Sequence, residues 1–307
     1  MNTQLTVRIS VIIPTYNRSE SLRKTLQSLE VISVSSEITW ELIIVDNNSA
    51  DQTQKVIQET QQKQNLPLRY IFEAKQGVSH ARNAGIEAAN GEILAFTDDD
   101  CIVDRDWLLL LHQEFSADAA LYGVGGRVEL YDSRDKTVTI RPFRERIAFN
   151  GIDQLFYLIA GCNMAFRREV FDIVGRFDPD FSGTGGLVAD DTDFIYRVFR
   201  YGFKIVYSPE VLIYHNHGRR TDEQIHALKK GYLRGRGGFY CKHVLAGDGD
   251  VLKMAYWEIN GLLKGLLKKV CVVRSANEEA CVIGNLAAGA AYELINKYRL
   301  SRSRSGL

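Results

Sequence analysis

Three consecutive carboxylates, Asp98-Asp99-Asp100, follow the apolar run Ile93-Leu94-Ala95-Phe96. Packed this closely they repel, and burying them without partners would cost several kcal/mol. An acidic turn in water compensates them, and so does a hard divalent cation. Mg2+ or Mn2+ is held by one or two carboxylates together with phosphate oxygens and water, which suits an Asp-x-Asp at the end of a buried strand. A second group, Asp190-Asp191-Thr192-Asp193, closes the Gly-rich stretch "SGTGGLVADDTDF" (182–194) and opens a helical pattern. Asp190 and Asp193 suit the capping of free N–H groups there. Asp191 becomes a general base for an incoming hydroxyl if the loop folds over the first group. His215 and His217, in "YHNHGRR", are structural imidazoles or complete a Mn2+ site; both readings stand at this point.

These residues need a scaffold, and the pattern supplies one. "ISVIIPTYNR" (9–18), a short β-branched run stopped by Pro14 and followed by turn residues, "WELIIVDNNSAD" (40–51), which ends in a polar loop, "LRYIFEA" (68–74) and "EILAFTDDD" (92–100) read as strands. Helical patterns follow the first with Leu22, Leu26 and Leu29 on one face, then at Thr53–Gln62, 77–90 and 106–115. Continuous apolar strands alternating with helices predict an α/β fold whose central sheet is mostly parallel and covered on both faces. In such sheets the ligand crevice lies at the carboxyl ends of the strands. Thr15-Tyr16-Asn17-Arg18, Asp46-Asn47-Asn48-Ser49 and Asp98-Asp99-Asp100 all fall there. Beyond residue 120 the alternation breaks, with strand-like runs at 122–131 and 203–215.

Composition limits the classes of function. The 307 residues carry 38 basic and 38 acidic side chains, so net charge gives no nucleic-acid footprint. The five cysteines, at 101, 162, 241, 271 and 281, are never spaced as CxxC. That fits reduced thiols better than a disulfide framework or a zinc site. The N-terminus lacks the pattern of a signal peptide, and no run of 18 apolar residues occurs, which places the expected catalytic part in the cytoplasm. From residue 218 the chain turns basic, and the last 57 residues read as two helices. In 251–270, Leu252, Ala255, Ile259, Leu262, Leu266 and Val270 share a face flanked by lysines. Such a helix lies on an anionic membrane surface or packs against the rest of the chain or a second subunit as a homodimer; the sequence leaves these open.

Six motifs in order, "VIIPTYNR", "LIIVDNNSAD", "GVSHARNAG", "FTDDDC", "GCNMAFRREVF" and "ADDTDF", resemble those of the family 2 inverting glycosyltransferases of GT-A fold. The resemblance covers residues 9 to about 215. It implies a Rossmann-like catalytic domain over 1–217, with a nucleotide-binding half (1–118), an acceptor half (119–217) and a basic helical extension (218–307). It implies a UDP-, GDP- or dTDP-sugar donor and a glycan or lipid-linked acceptor. Pro14, Thr15, Tyr16, Asn17 and Arg18 would lie along the nucleotide, Asp46 would meet the base, and Arg82 would reach towards the nucleotide or its diphosphate. Asp98 and Asp100 would hold Mn2+ or Mg2+, with Asp99 beside the donor and His215 or His217 as a further ligand. Asn163 and Asp190 would border the acceptor, and Asp191 would be the base. The family usually has Glu-Asp where this chain has Asp190-Asp191.

Rival readings are weaker. A nucleotidyltransferase should show a Gly-rich phosphate loop where this chain has "PTYNRSES". A processive synthase needs membrane-spanning helices. A catalytically inactive nucleotide-sugar-binding or scaffold module remains the alternative, against which the intact metal and base aspartates stand.

Overall fold

The computed structural model describes residues 7–183, 187–270 and 276–305, with side chains described except at 7–8, 265–280 and 296–307. Leu266, Val270, Cys271 and the basic tail therefore lie outside the described side chains. Contacts divide the chain into two compact units. The first runs to Phe177 and resumes over Phe194–Arg220; the second joins Asp178–Asp193 to the residues from Thr221 onward.

The first unit is built on one nine-stranded sheet of order β3-β2-β1-β4-β8-β6-β9-β5, with β7 also on β9. Its strands are β1 (Val7–Thr15), β2 (Ile38–Asp46), β3 (Leu68–Phe72), β4 (Ile93–Thr97), β5 (Cys101–Val103), β6 (Leu121–Leu130), β7 (Ile147–Ala148), β8 (Asn163–Arg167) and β9 (Lys204–His215). The helices α1 (Ser19–Leu29), α2 (Thr53–Lys63), α3 (Val78–Ala88), α4 (Trp107–Ala117) and α5 (Arg168–Val174) follow their strands, and α6 (Asp190–Arg200) leads into β9. β1, β2, β3 and β4 pair in parallel, as the continuous apolar runs predict. β8 then runs antiparallel to both β4 and β6, and β6 is parallel to β9. Two reversals restore the direction, so β9 ends at the same edge as β1, β2 and β4.

Alternation along β1 divides the core. Ile9, Val11 and Ile13 join one apolar layer with Leu22, Leu26, Ile44, Trp107 and Leu111. Ile12 faces α3, where a Cβ on Gly85 would come within 2.4 Å of its Cγ2; glycine is what lets this helix sit so close. Phe96, Phe166, Phe171, Phe177 and Phe194 form an aromatic cluster, with Phe171 stacked on Phe194 at 4.8 Å. Each buried ring contributes about 1.5–3 kcal/mol of transfer free energy, so the cluster anchors β4 and β8 firmly. β1 continues through Pro14 instead of stopping there, because a strand can carry Pro where the ladder does not need its N–H. β4 stops at Thr97, which leaves the three aspartates in a turn rather than in the strand.

In the second unit, α7 (Asp222–Leu245), α8 (Gly249–Val270) and α9 (Ala276–Ser305) pack together. The sequence reads 218–245 only as basic, yet it forms one long helix, started by a Thr221–Gln224 capping box. A Cβ on Gly237 would fall 1.9 Å from the Leu286 carbonyl oxygen, so its glycines serve a close crossing with α9. Segment 178–193 belongs here because Phe181, Leu187 and Val188 pack on Gly235 and Gly238. The stripe expected on α8 is split: Ala255 is buried and Leu262 half-buried, whereas Leu252 and Ile259 are 55% and 41% exposed. The apolar arc is wide, and packing covers only one side of it. Among the described residues, no helix is long and apolar enough to cross a membrane.

Candidate functional site

The carboxyl ends of β1, β2, β4 and β9 bring Thr15, Asp46, Asp98-Asp99-Asp100 and His215 to one edge of the sheet. Protein groups already partner each aspartate of the triplet. Thr15 Oγ1 donates to Asp99 Oδ2 at 2.7 Å, and Arg18 Nη1 bonds Asp99 Oδ1 at 3.3 Å and Asp100 Oδ2 at 2.5 Å. Arg82, itself buried, bonds Asp98 Oδ1 at 3.1 Å and the Gly161 carbonyl at 3.3 Å. His215 Nε2 lies 3.2 Å from Asp100 Oδ1, with its Nδ1 3.0 Å from Thr139 Oγ1. Two arginines and a histidine thus compensate the charge that the sequence reading left to a cation.

The electrostatics separate the three acids. Burial pushes the Asp99 carboxyl up to about 7, against the pull of Arg18. Burial acts on Asp100 as well, but the His215 and Arg18 bonds outweigh it and hold that carboxyl well below the usual range. Burial lowers His215, but its Asp100 bond and the surrounding negative groups together outweigh it and bring the imidazole to about 9. Burial, then the like charge of His215, lowers His217 below its ordinary value.

A cavity of about 430 Å3 opens beside the triplet, lined by Asn17, Arg18, Asp51, Asp100, Asn216 and His217. Local hydrogen bonds shape its rim. Asn17, in the left-handed region at φ 52°, accepts from Ala50 N at 2.7 Å, and Ser49 Oγ accepts from Asn17 N at 3.0 Å. Asp51 accepts from the Ser19 amide that begins α1, at 3.0 Å. Asp51 and Asn216 escaped the sequence reading. The Asn/Asp-rich loop after β2 was their one available signal, since such side chains tie turns to neighbouring backbone.

The donor set fits a hard divalent cation. Asp98 and Asp100 offer carboxylate oxygens, with Asp98 about one-third exposed. The His217 side chain is fully buried, and its Nε2 has no hydrogen-bond partner although it lines the cavity. An orphaned imidazole nitrogen on a cavity shared with the Asp100 carboxylate is a ligand-competent arrangement.

Other expected residues sit elsewhere. Pro14 is buried within β1, while Tyr16 stands exposed at its end. Asp46 is buried, accepting from Ser49 N at 2.9 Å and from the Tyr70 hydroxyl at 3.2 Å. Asn163 is 1% exposed; its Oδ1 accepts from Trp107 Nε1 at 2.9 Å, and its Nδ2 donates to the Arg127 and Val211 carbonyls at 2.9 Å. That amide cross-links α4, β6, β8 and β9. In the second unit, Asp190 is buried and Asp191 partly exposed, both in the first turn of α6. The Thr192 amide donates to Asp191 Oδ1 at 2.7 Å. Asp193, read as a cap, is instead a buried counter-ion to Lys242 at 2.8 Å and bonds His243 at 2.9 Å.

Comparison with known proteins agrees with this architecture. The family described as "Glycosyl transferase family 2" matches residues 10–175, more than half of the chain. The uncharacterized glycosyltransferase alr2836 of Nostoc sp. is 32% identical over 182 residues, 56% of this chain and 55% of that protein. Glycosyltransferase AglE of Haloferax volcanii is 29% identical over 237 residues, covering 75% of this chain and 72% of its own length. The chain therefore spans little more than half of the first of these relatives. Among solved structures, the mannosyltransferase PcManGT of Pyrobaculum calidifontis, in complex with GDP-Man and Mn2+, superposes with a TM-score of 0.66 at 19% identity. The match covers 96% of this chain and 89% of that one.

Proposed function

The chain belongs to glycosyl transferase family 2, and from that premise we propose that it transfers a sugar from a nucleotide-diphosphate sugar to a hydroxyl of a glycan or lipid-linked acceptor, with inversion at the anomeric carbon. The observation that carries this reading is the meeting of Asp100, His217 and the cationic Arg18 on one cavity at the strand ends.

Each step falls to a residue of this chain. Tyr16, Asn17 and Arg18 line the nucleotide's path, with Arg18 offering its half-exposed guanidinium to phosphate oxygens. Arg82 is held against Asp98 and the Gly161 carbonyl, so it keeps one orientation towards the diphosphate. Asp98, Asp100 and His217 would hold Mn2+ or Mg2+; bound there, such an ion supplies Lewis-acid stabilisation of charge on the leaving diphosphate. Asp191 takes the proton of the acceptor hydroxyl as its oxygen attacks the anomeric carbon. The bond to the diphosphate oxygen breaks with its electron pair on that oxygen. One in-line displacement inverts the centre, so an α-linked donor gives a β-linked product.

Calorimetric titration with UDP, GDP and dTDP, with Mn2+ and with EDTA, tests the site. One nucleotide should bind, more weakly in EDTA and in Arg18→Ala. Failure of all three to bind would remove the donor reading.

The exposed Leu252, Tyr256, Ile259 and Leu263 of α8, near Lys253 and Lys264, favour a peripheral contact with anionic lipid. Flotation with vesicles containing phosphatidylserine tests this: Ile259→Ser with Leu263→Ser should leave the vesicle fraction. Equal flotation of the substituted and unaltered chains would sink the contact.

A further inference from the structure

Residues 187–193 carry Asp191, and α7 holds them on either side of it. Gly231, Gly235, Gly238 and Lys242 recur at helical spacing, which puts them on one face of that helix. A Cβ on Gly235 would fall 2.2 Å from the Val188 carbonyl oxygen, so the backbone just before Asp191 lies directly on the helix. Just after Asp191, the Asp193 carboxylate is fully buried and meets Lys242 Nζ at 2.8 Å and His243 Nε2 at 2.9 Å. The Asp193 amide donates to the Ala189 carbonyl at 2.9 Å, which closes the turn between the two anchors. A different face of α7, with Arg234 and Gly237, meets α9.

Lys242 does more than neutralise Asp193. Its Nζ also donates to Asp178 Oδ2 at 2.6 Å and stands 5.1 Å from the centre of the Phe181 ring. Asp178 in turn accepts from the Asp180 amide at 3.0 Å. Two carboxylates at opposite ends of the 178–193 segment thus share one ammonium on α7. An exposed pair of this kind would contribute little. Here the Asp193 side chain is 0% exposed and Lys242 only 21%. Withdrawing the cation from a buried carboxylate is strongly unfavourable, so the turn must shift to recover a partner or water.

The geometry points to Lys242 as a positioning residue for Asp191: together with the Gly235 contact, it fixes the backbone that carries the carboxylate. The inference rests on the reading of Asp191 as general base. It gives the basic extension a part in turnover, separate from donor binding, whose residues stand at strand ends of the first unit. A reacting group displaced by about 1 Å loses on the order of 10²-fold in rate, so a modest shift of this turn is enough to be measured.

Kinetics and hydrogen exchange on the full chain test it. Lys242→Met should lower kcat for nucleoside-diphosphate release about 10²-fold, with KM for the sugar nucleotide and calorimetric affinity for the nucleotide unchanged. Lys242→Arg keeps a cation near both carboxylates and should restore most of the turnover. Gly235→Ala tests the second anchor without altering a charge and should also lower kcat alone. In an Asp191→Asn background, Lys242→Met should lower kcat no further, whereas a general loss of structure would add to the defect. Exchange over residues 187–193 should quicken in Lys242→Met, while the amides of β1 and β4 keep their protection. Unchanged exchange there, unchanged kcat in both Lys242→Met and Gly235→Ala, or an equal loss of nucleotide affinity would overturn the inference and leave sugar transfer standing. No release from the unaltered chain would overturn the transfer reading itself, and with it the role given to Lys242.

Discussion

Thr15 Oγ1 donates a 2.7 Å hydrogen bond to Asp99 Oδ2, tying the end of β1 to the turn after β4 across 84 positions of sequence. Both side chains are buried, so neither can exchange this partner for water. Thr15→Val keeps the shape and removes the donor, leaving one lone pair of a buried carboxylate unsatisfied. It should destabilise the protein by about 1–3 kcal/mol, read as a shift in the urea midpoint at unchanged slope. An unchanged midpoint would show that the turn is held without this bond.

Glu41 supplies a pH dependence away from the candidate site. Its carboxylate accepts from Ser10 Oγ at 2.7 Å, Asn90 N at 2.6 Å and Arg69 Nη1 at 2.6 Å. Burial alone would raise its pKa, but these bonds together lower it to about 2. A carboxyl depressed in the folded state stabilises above its unfolded pKa and loses that contribution as pH falls through the folded value. Glu41 should therefore contribute roughly 2 kcal/mol at neutral pH, lost between about pH 4.5 and pH 2. Glu41→Gln should flatten the acid limb of the stability curve in that window. An acid limb of unaltered steepness would assign the loss to other groups.

Asn163 is expected to behave as a core residue. Asn163→Ala strips partners from the Trp107 indole N–H and from two buried carbonyls. It should cost about 3 kcal/mol and lower Tm, with nucleotide affinity kept in the fraction that folds. An unchanged Tm would argue against the cross-link.

Asp191→Asn should lower kcat by about 10²–10⁴-fold while nucleotide affinity stays within a factor of about two. Equal loss of affinity and turnover would move Asp191 from proton transfer to donor binding.

The sequence made the strand ends legible because β1, β2 and β4 are continuous β-branched runs that break into polar turns. Thr15, Arg18 and the three aspartates could thus be assigned to one edge before any coordinates. Asn163 shows a different limit: a buried structural amide and a ligand-binding amide have the same letter, and only its three partners distinguish them. His215 and His217 posed the same difficulty. Asp100 and Thr139 occupy His215, while the Nε2 of His217 is buried without a hydrogen-bond partner. α7 was hidden by its glycines, which lower helix propensity but permit the backbone approach to α9 that burial rewards.

Turnover tests the central claim most directly: release of nucleoside diphosphate from a panel of UDP-, GDP- and dTDP-sugars, with Mn2+, with Mg2+ and with EDTA. The account predicts release from one donor, abolished by EDTA and strongly reduced in Asp100→Asn. A chain that binds a nucleotide yet releases none from any donor, with glycan and lipid-linked acceptors supplied, would contradict it and leave a binding module in place of an enzyme.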